Sequence, residues 1–186
     1  IVVYSSALLM IFAYALSQLN LLFNYLSSKK REVSRELLDT SNPDKVPFVT
    51  IQLPVYNEKY VMEGLLENIA LMDYPKERLE IQVLDDSTDE SVDTTAKQIK
   101  ELQKSGLDIQ HILREDRTGF KAGALKAGLN TAKGEFIAIF DADFLPKTDW
   151  LRATIPHFED PNIGVVQTRW SHLNRDFSIL TQVQAF

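Results

Sequence analysis

Five short runs rich in β-branched and other apolar residues recur along the chain: FVTIQL (48–53), EIQVLDD (80–86), DIQHIL (108–113), EFIAIF (135–140) and IGVVQTRW (163–170). Segments of helical periodicity separate them. In EKYVMEGLLENIALM, Val61, Leu65, Ile69 and Met72 recur at the spacing of one helix face. ESVDTTAKQIKELQKSG carries Val92, Ile99 and Leu102 and reaches Gly106 as a helix end should. Strands that alternate with helices pair in parallel through right-handed crossovers, so the pattern predicts a layered α/β fold with a mostly parallel sheet. Such sheets bind ligands beyond the carboxyl ends of their strands. The residues just after each run therefore carry the functional information.

Those residues are polar in a consistent way. The first run ends in PVYNE (54–58), the second in DDSTD (85–89) and the fourth in DAD (141–143), and the third leads into REDRTGFKAGAL (114–125). Asp141 and Asp143, at i and i+2, can turn to one side and share a hard divalent cation such as Mg²⁺ or Mn²⁺. An isolated D-x-D is more often a turn with a capping acid; the position at a strand end favours the metal. Asp85 and Asp86 can open a turn with Asp89 capping the next helix, or Asp86 can accept from a base N–H or a ribose hydroxyl. In RTGFKAGALKAGL, Lys121 can reach a phosphate. Gly119, Gly123 and Gly128 there permit either close approach of a ligand to the backbone or close packing of helix on sheet. Neither a P-loop nor a G-x-G-x-x-G fingerprint is matched. His111, His157 and His172 lack metal-ligand spacing and read as structural, and Trp150 and Trp170 read as core.

Ahead of this pattern stands a segment of another kind. Residues 1–26, IVVYSSALLMIFAYALSQLNLLFNYL, contain no charge and exceed the roughly 20 residues a spanning helix needs. A cleaved signal peptide fits less well, because no small-x-small site follows; a buried soluble helix is the other reading. Asn20 and Asn24 share a helix face and can meet another helix. Lys29, Lys30 and Arg31 follow at once, which by the positive-inside rule leaves the remainder in the cytoplasm. Residues 27–46 form a juxtamembrane connector, and 47–186 the α/β domain. The formal charge of −6 and pI near 5.1 leave no basic stripe, which argues against polymeric nucleic acid as a partner. An anionic ligand must then be held by a metal, a few cationic side chains or helix N-termini. There is no cysteine, hence no disulfide and no thiolate metal site. Beginning at Ile1 and ending at Phe186 inside a helical pattern, the sequence is expected to be part of a longer one.

TIQLPVYNE, VLDDSTDES, REDRTGFKAGALKAGL, FDADFLP and VVQTRWSHLNRDFSILTQVQA together resemble the inverting family 2 glycosyltransferases. The resemblance is to the membrane-bound branch of cellulose synthases and cellulose-synthase-like mannan or glucan synthases, and it spans roughly residues 47–186. It implies a GT-A, Rossmann-like nucleotide-sugar-binding domain that transfers a hexose from a nucleotide diphosphate sugar, UDP-glucose or GDP-mannose, to a glycan acceptor. It further implies that Pro54, Tyr56 and Glu58 surround the nucleoside, Asp86 contacts it, Lys121 approaches the nucleotide, and Asp141 and Asp143 hold Mg²⁺ or Mn²⁺ against the diphosphate. The family's general base, an aspartate in T-E-D or E-D, and its Q-x-x-R-W acceptor motif have no match; QTRW (167–170) has one residue too few between Gln167 and Arg169. The expectation is a donor-binding half whose catalytic base lies beyond Phe186. Three other readings compete: a non-catalytic sugar-nucleotide binder, a receiver-type signalling domain and a nucleotidyltransferase. A receiver would place its paired acids after the first strand, and a nucleotidyltransferase would want a glycine-rich loop where PVYNE stands.

Overall fold

The computed structural model describes residues 1–27, 36–169, 171, 174 and 176–184. The chain divides into two units, Ile1–Ser34 and Arg35–Phe186. The first contains α1 (Val2–Ser27), a single helix with no buried residue despite its apolar sequence. At 1.5 Å per residue it is about 39 Å long, and it is long and apolar enough to cross a membrane. Asn24 Nδ2 donates to Asn20 Oδ1 at 3.3 Å, so the two polar side chains satisfy each other along one face. Lys29, Lys30 and Arg31, on which the cytoplasmic orientation rests, lie outside the described residues.

The second unit holds β1 (Val49–Val55), α2 (Met62–Ala70), β2 (Leu79–Asp85), α3 (Ser91–Lys104), β3 (Asp108–Leu113), α4 (Phe120–Leu129), β4 (Phe136–Ile139), α5 (Trp150–Thr154) and α6 (Ile179–Gln184). The four strands form one sheet in the order β3-β2-β1-β4, with every pairing parallel. Because side chains alternate across a strand, the sheet has two distinct faces. One carries Val49, Ile51, Leu53, Ile81, Val83 and Ile109, buried in the core with Leu65 and Ile69 of α2 and Ile99 of α3. The other is polar and equally buried. There Thr50 Oγ1 donates to Glu80 Oε2 at 2.7 Å, Gln110 Nε2 to Glu80 Oε1 at 3.0 Å, and Gln52 Nε2 to Gln82 Oε1 at 3.0 Å. The Lys133 and Gly134 backbone N–H groups close this network on Glu80 and Thr50. Buried polar groups paired in this way pin the strand register, since a one-residue slip would put every partner on the wrong face; Gln52 Oε1 alone in this network has no partner among the described residues.

Two expectations need correction. IGVVQTRW forms no strand over residues 163–169, and Val165 is exposed. A β-branched run becomes a strand only with a ladder partner, and β4 pairs on one side alone among the described residues. The first strand also continues past Leu53 through Val55, so PVYNE begins inside it.

Candidate ligand cleft

The strand order fixes where a ligand can sit. β1, β2 and β3 step outward in one direction, and β4 returns to the other side of β1, so the chain reverses direction at the β1/β4 boundary. That is the topological switch point of an α/β sheet. β4 stops opposite Gln52, whereas β1 runs on to Val55 opposite Asp85. Phe140 N still donates to Gln52 O at 3.2 Å, after which the chain leaves the sheet at Asp141. Pro54, two residues beyond Gln52, turns its missing N–H to the same side, where β4 has ended, so the proline removes no ladder bond. A cleft of about 370 Å³ opens there. All seven residues singled out from the sequence, Pro54, Tyr56, Glu58, Asp86, Lys121, Asp141 and Asp143, line it, together with Arg117.

The acids differ sharply in surroundings. Asp86 is buried, and Arg114 Nε donates to its Oδ1 at 2.8 Å while Arg114 Nη2 donates to Oδ2. Arg114 also donates to the carbonyls of Thr118 and Phe120, tying the end of β2 to the turn before α4. Asp85 points to the opposite face. His111 Nε2 lies 2.8 Å from its Oδ2, and Ser87 N–H donates to Oδ1 at 2.8 Å. Burial opposes ionisation of Asp85, but the hydrogen bonds from His111 and Ser87 outweigh it and hold the carboxyl below the usual range. The histidine thus has the structural role read from the sequence. Asp89 accepts from Ser91 N–H at 3.0 Å in the turn ahead of α3, whose N-cap position falls on Glu90.

Asp141 and Asp143 are left more open. Lys121 Nζ pairs with Asp141 Oδ1, with both side chains substantially solvent-accessible. Asp143 is exposed and makes no ion pair among the described residues. No group of three or more His, Asp or Glu side chains able to hold a metal occurs among the described residues. Asp141 and Asp143 bring two partly open carboxylates to the cleft. This suits a hard cation that completes its shell with phosphate oxygens and water, and does not suit an all-protein metal cage.

Sequence reading missed Arg114 and Arg117. The signal for Arg114 was the register: Leu113 stands opposite Asp85, so the next residue of each strand, Arg114 and Asp86, come side by side. Arg117 has no comparable signal; its Cζ lies 3.3 Å from the centroid of the Tyr56 ring, a contact made by two loops far apart in sequence. The glycines resolve toward packing at two positions. A Cβ on Gly128 would lie 2.6 Å from Gln52 Nε2, and one on Gly123 would lie 2.0 Å from the Thr118 carbonyl oxygen. Glu58 uses its backbone carbonyl to accept from Val61 and Met62 at the start of α2, leaving its carboxylate exposed on the cleft. Trp150 packs edge-on against Phe140, whereas Trp170 and His172 lie outside the described residues.

The fold and the cleft define a class: parallel-sheet α/β domains with a polar ligand site at the switch point. The sequence profile described as Glycosyl transferase family 2 matches residues 50–183, and the chain belongs to that family. It is 42% identical over 158 residues to glucomannan 4-beta-mannosyltransferase 2 of Arabidopsis thaliana, covering 80% of this chain and 28% of the relative. It is also 42% identical over 143 residues to probable glucomannan 4-beta-mannosyltransferase 4 of Oryza sativa subsp. japonica, covering 74% and 26%. The chain therefore spans about a quarter of the length of these relatives. Among solved structures it resembles the mannosyltransferase PcManGT from Pyrobaculum calidifontis in complex with GDP-Man and Mn²⁺, at TM-score 0.65 and 31% identity, covering 90% of this chain and 47% of the other. The domain has the GT-A-like fold expected from the sequence resemblance.

Proposed function

We propose that the α/β domain is the donor-binding part of a membrane-bound hexosyltransferase that takes mannose from GDP-mannose and passes it to a polysaccharide acceptor. The observation that carries this reading is the convergence of Tyr56, Asp86, Lys121, Asp141 and Asp143 on one cleft at the switch point. Mannose is preferred over glucose because the relatives are mannosyltransferases and the solved neighbour holds GDP-Man. Asp141 and Asp143 would hold Mg²⁺ or Mn²⁺, which supplies charge neutralisation for the diphosphate and for the leaving nucleotide. Lys121, whose Nζ pairs with Asp141 Oδ1 at the edge of the cleft, would be the cation that meets the phosphates. Tyr56 and Asp86 face the nucleoside, with Arg114 keeping Asp86 in place. The α1 helix would anchor the enzyme in a bilayer, with the domain on the cytoplasmic side where nucleotide sugars are made.

Calorimetry tests the reading. Residues 1–186 in detergent should bind GDP-mannose in the presence of Mn²⁺, bind UDP-glucose more weakly, and bind neither in EDTA. Lys121→Ala should weaken binding with the metal still present, because it removes a separate charge contact. Equal binding with and without EDTA would remove the metal from the site, and tighter binding of UDP-glucose would reverse the choice of donor.

A further inference from the structure

We propose that Asn57 is a positioning residue: it clamps the loop after β1 to the loop after β2 and thereby fixes Tyr56 and Glu58, its two neighbours, on the wall of the cleft. The inference rests on the nucleotide-sugar reading of the cleft and deepens it. Tyr56 and Glu58 line the cleft from the segment between β1 and α2. Asn57, between them, has a φ of 57°, and it and Phe120 are the two non-glycine residues with positive φ among the described residues. Asparagine is one of the few side chains that enter this left-handed region readily. Both polar ends of the residue are used. Its backbone N–H donates to Ser87 Oγ at 2.8 Å, and its Oδ1 accepts from the Thr88 N–H at 3.0 Å. The two bonds run in opposite directions to consecutive residues of the loop between β2 and α3. One bond would leave a pivot; two fix an orientation.

The jaw that Asn57 grips is itself fixed. Ser87 N–H donates to Oδ1 of Asp85 at 2.8 Å, and Asp85 is buried and partnered by His111 of β3. Asp86 N–H donates to the Val55 carbonyl at 3.1 Å, which carries the bonding between β1 and β2 to the ends of the two strands. The clamp extends that order into a segment with no ladder of its own. Lys59 also pairs with Glu90 across the same two loops, but both side chains are too exposed for this ion pair to contribute much. The hydrogen bonds of the clamp lie at the surface as well, where exchange with water leaves little net gain for the fold as a whole. Their value lies in the cleft. A side chain on a free loop must be ordered when the ligand arrives, and that ordering is subtracted from the affinity; one held in place beforehand avoids the loss. Glycine would take the same φ without strain but would leave the Thr88 N–H without this acceptor, and alanine would supply neither property.

The test uses two variants that open the clamp from opposite sides. Asn57→Gly keeps the left-handed backbone and removes the acceptor of the Thr88 N–H. Ser87→Ala removes the acceptor of the Asn57 N–H and leaves the Ser87 N–H bond to Asp85 in place. Hydrogen exchange of residues 1–186 in detergent should be faster at the Thr88 amide in the first variant and at the Asn57 amide in the second. Calorimetry in Mn²⁺ should then show GDP bound roughly 3–10-fold more weakly by each, the scale of one net hydrogen bond, while the urea midpoint stays that of the parent. The double variant should be no weaker than the weaker single one, because both changes open one clamp. Ser87→Thr, which keeps the hydroxyl, should bind GDP as the parent does. Parent affinity in both opened variants overturns the proposal and leaves the donor-site reading standing. A loss of affinity matched by a lower urea midpoint also overturns it, making Asn57 a residue of the fold and not of the cleft. If the unaltered protein binds no nucleoside diphosphate, the donor-site reading fails and the positioning role fails with it.

Discussion

The ends of β2 and β4 carry the same kind of signal and use it in opposite ways. At β2, Asp85 and Asp86 are buried and provided with partners by the protein itself: His111 and Ser87 on one face, Arg114 on the other. At β4, Asp141 has only the half-exposed Lys121 and Asp143 has no ion pair among the described residues. Burying a charge is costly unless it is paired and hydrogen-bonded, so acids under the sheet edge must be neutralised within the fold. Acids in the open are hydrated, and their negative charge stays available to an incoming cation. The difference separates an acid that shapes the cleft from one that the cleft offers to a ligand.

The largest expected effect comes from breaking the internal pair. Asp86→Ala would leave the Arg114 guanidinium, 14% exposed, without its carboxylate. Removal of one partner from a buried pair costs about 3 kcal/mol or more. Asp143→Ala, an exposed change, should stay within about 0.5 kcal/mol of the parent. Urea denaturation of the two variants would test the contrast, and equal losses of stability would abolish the distinction between the strand ends.

The next effect reverses the order. If Asp143 holds the cation as proposed, Asp143→Asn should leave the fold unchanged while metal-dependent binding of GDP-mannose falls roughly tenfold, about 1.4 kcal/mol, for loss of an anionic ligand to a hard cation. Titration of Mn²⁺ at fixed nucleotide would show this as a rightward shift in metal dependence. A variant that bound metal and nucleotide as well as the parent would make Asp143 an ordinary surface acid, like Asp149 at the start of α5.

This contrast also explains what could be read from the sequence and what could not. The α/β class followed from the alternation of β-branched runs with helical periodicity, and the rule that ligands bind beyond the carboxyl ends of strands singled out the acids at 85–86 and 141–143 from the residues alone. Both signals are local, carried by residues a few positions apart. IGVVQTRW misled because strand formation depends on a partner that propensity does not see. The pairing of Asp86 with Arg114 and the stack of Arg117 on Tyr56 depend on strand register and loop approach across 28 and 61 positions. The buried polar face was hidden too, since Thr50, Gln52, Glu80 and Gln82 look like the solvated side of an ordinary alternating strand until α4 and the following turn cover them.

The smallest effect concerns Asp85 and separates the two strand ends by pH. Its carboxyl is held below the ordinary value of 3.8 in the fold, because the hydrogen bonds from His111 and Ser87 outweigh the burial that opposes them. A group with a depressed folded pKa contributes stability that is complete above its unfolded pKa and is lost as pH falls through the folded one. The contribution of Asp85 should therefore be constant at pH 5 and above, start to fall near pH 4, and vanish only well below 3.8. Asp85→Asn removes the titration, so stability of the variant should depend less steeply on pH below 4, by about 1 kcal/mol over the accessible range, the scale of an ordinary net hydrogen bond. Asp39 and Asp116 are also held low by local hydrogen bonds, but they are present in both proteins and cancel in the difference; Asp89, held low by Ser91, feels the Asp85 charge as a minor opposing influence and leaves only a small residual. Urea denaturation of parent and variant from pH 6 to pH 3 measures the two slopes. Identical slopes would mean that His111 and Ser87 do not favour the ionised form, and that the end of β2 is held by Arg114 and Asp86 alone.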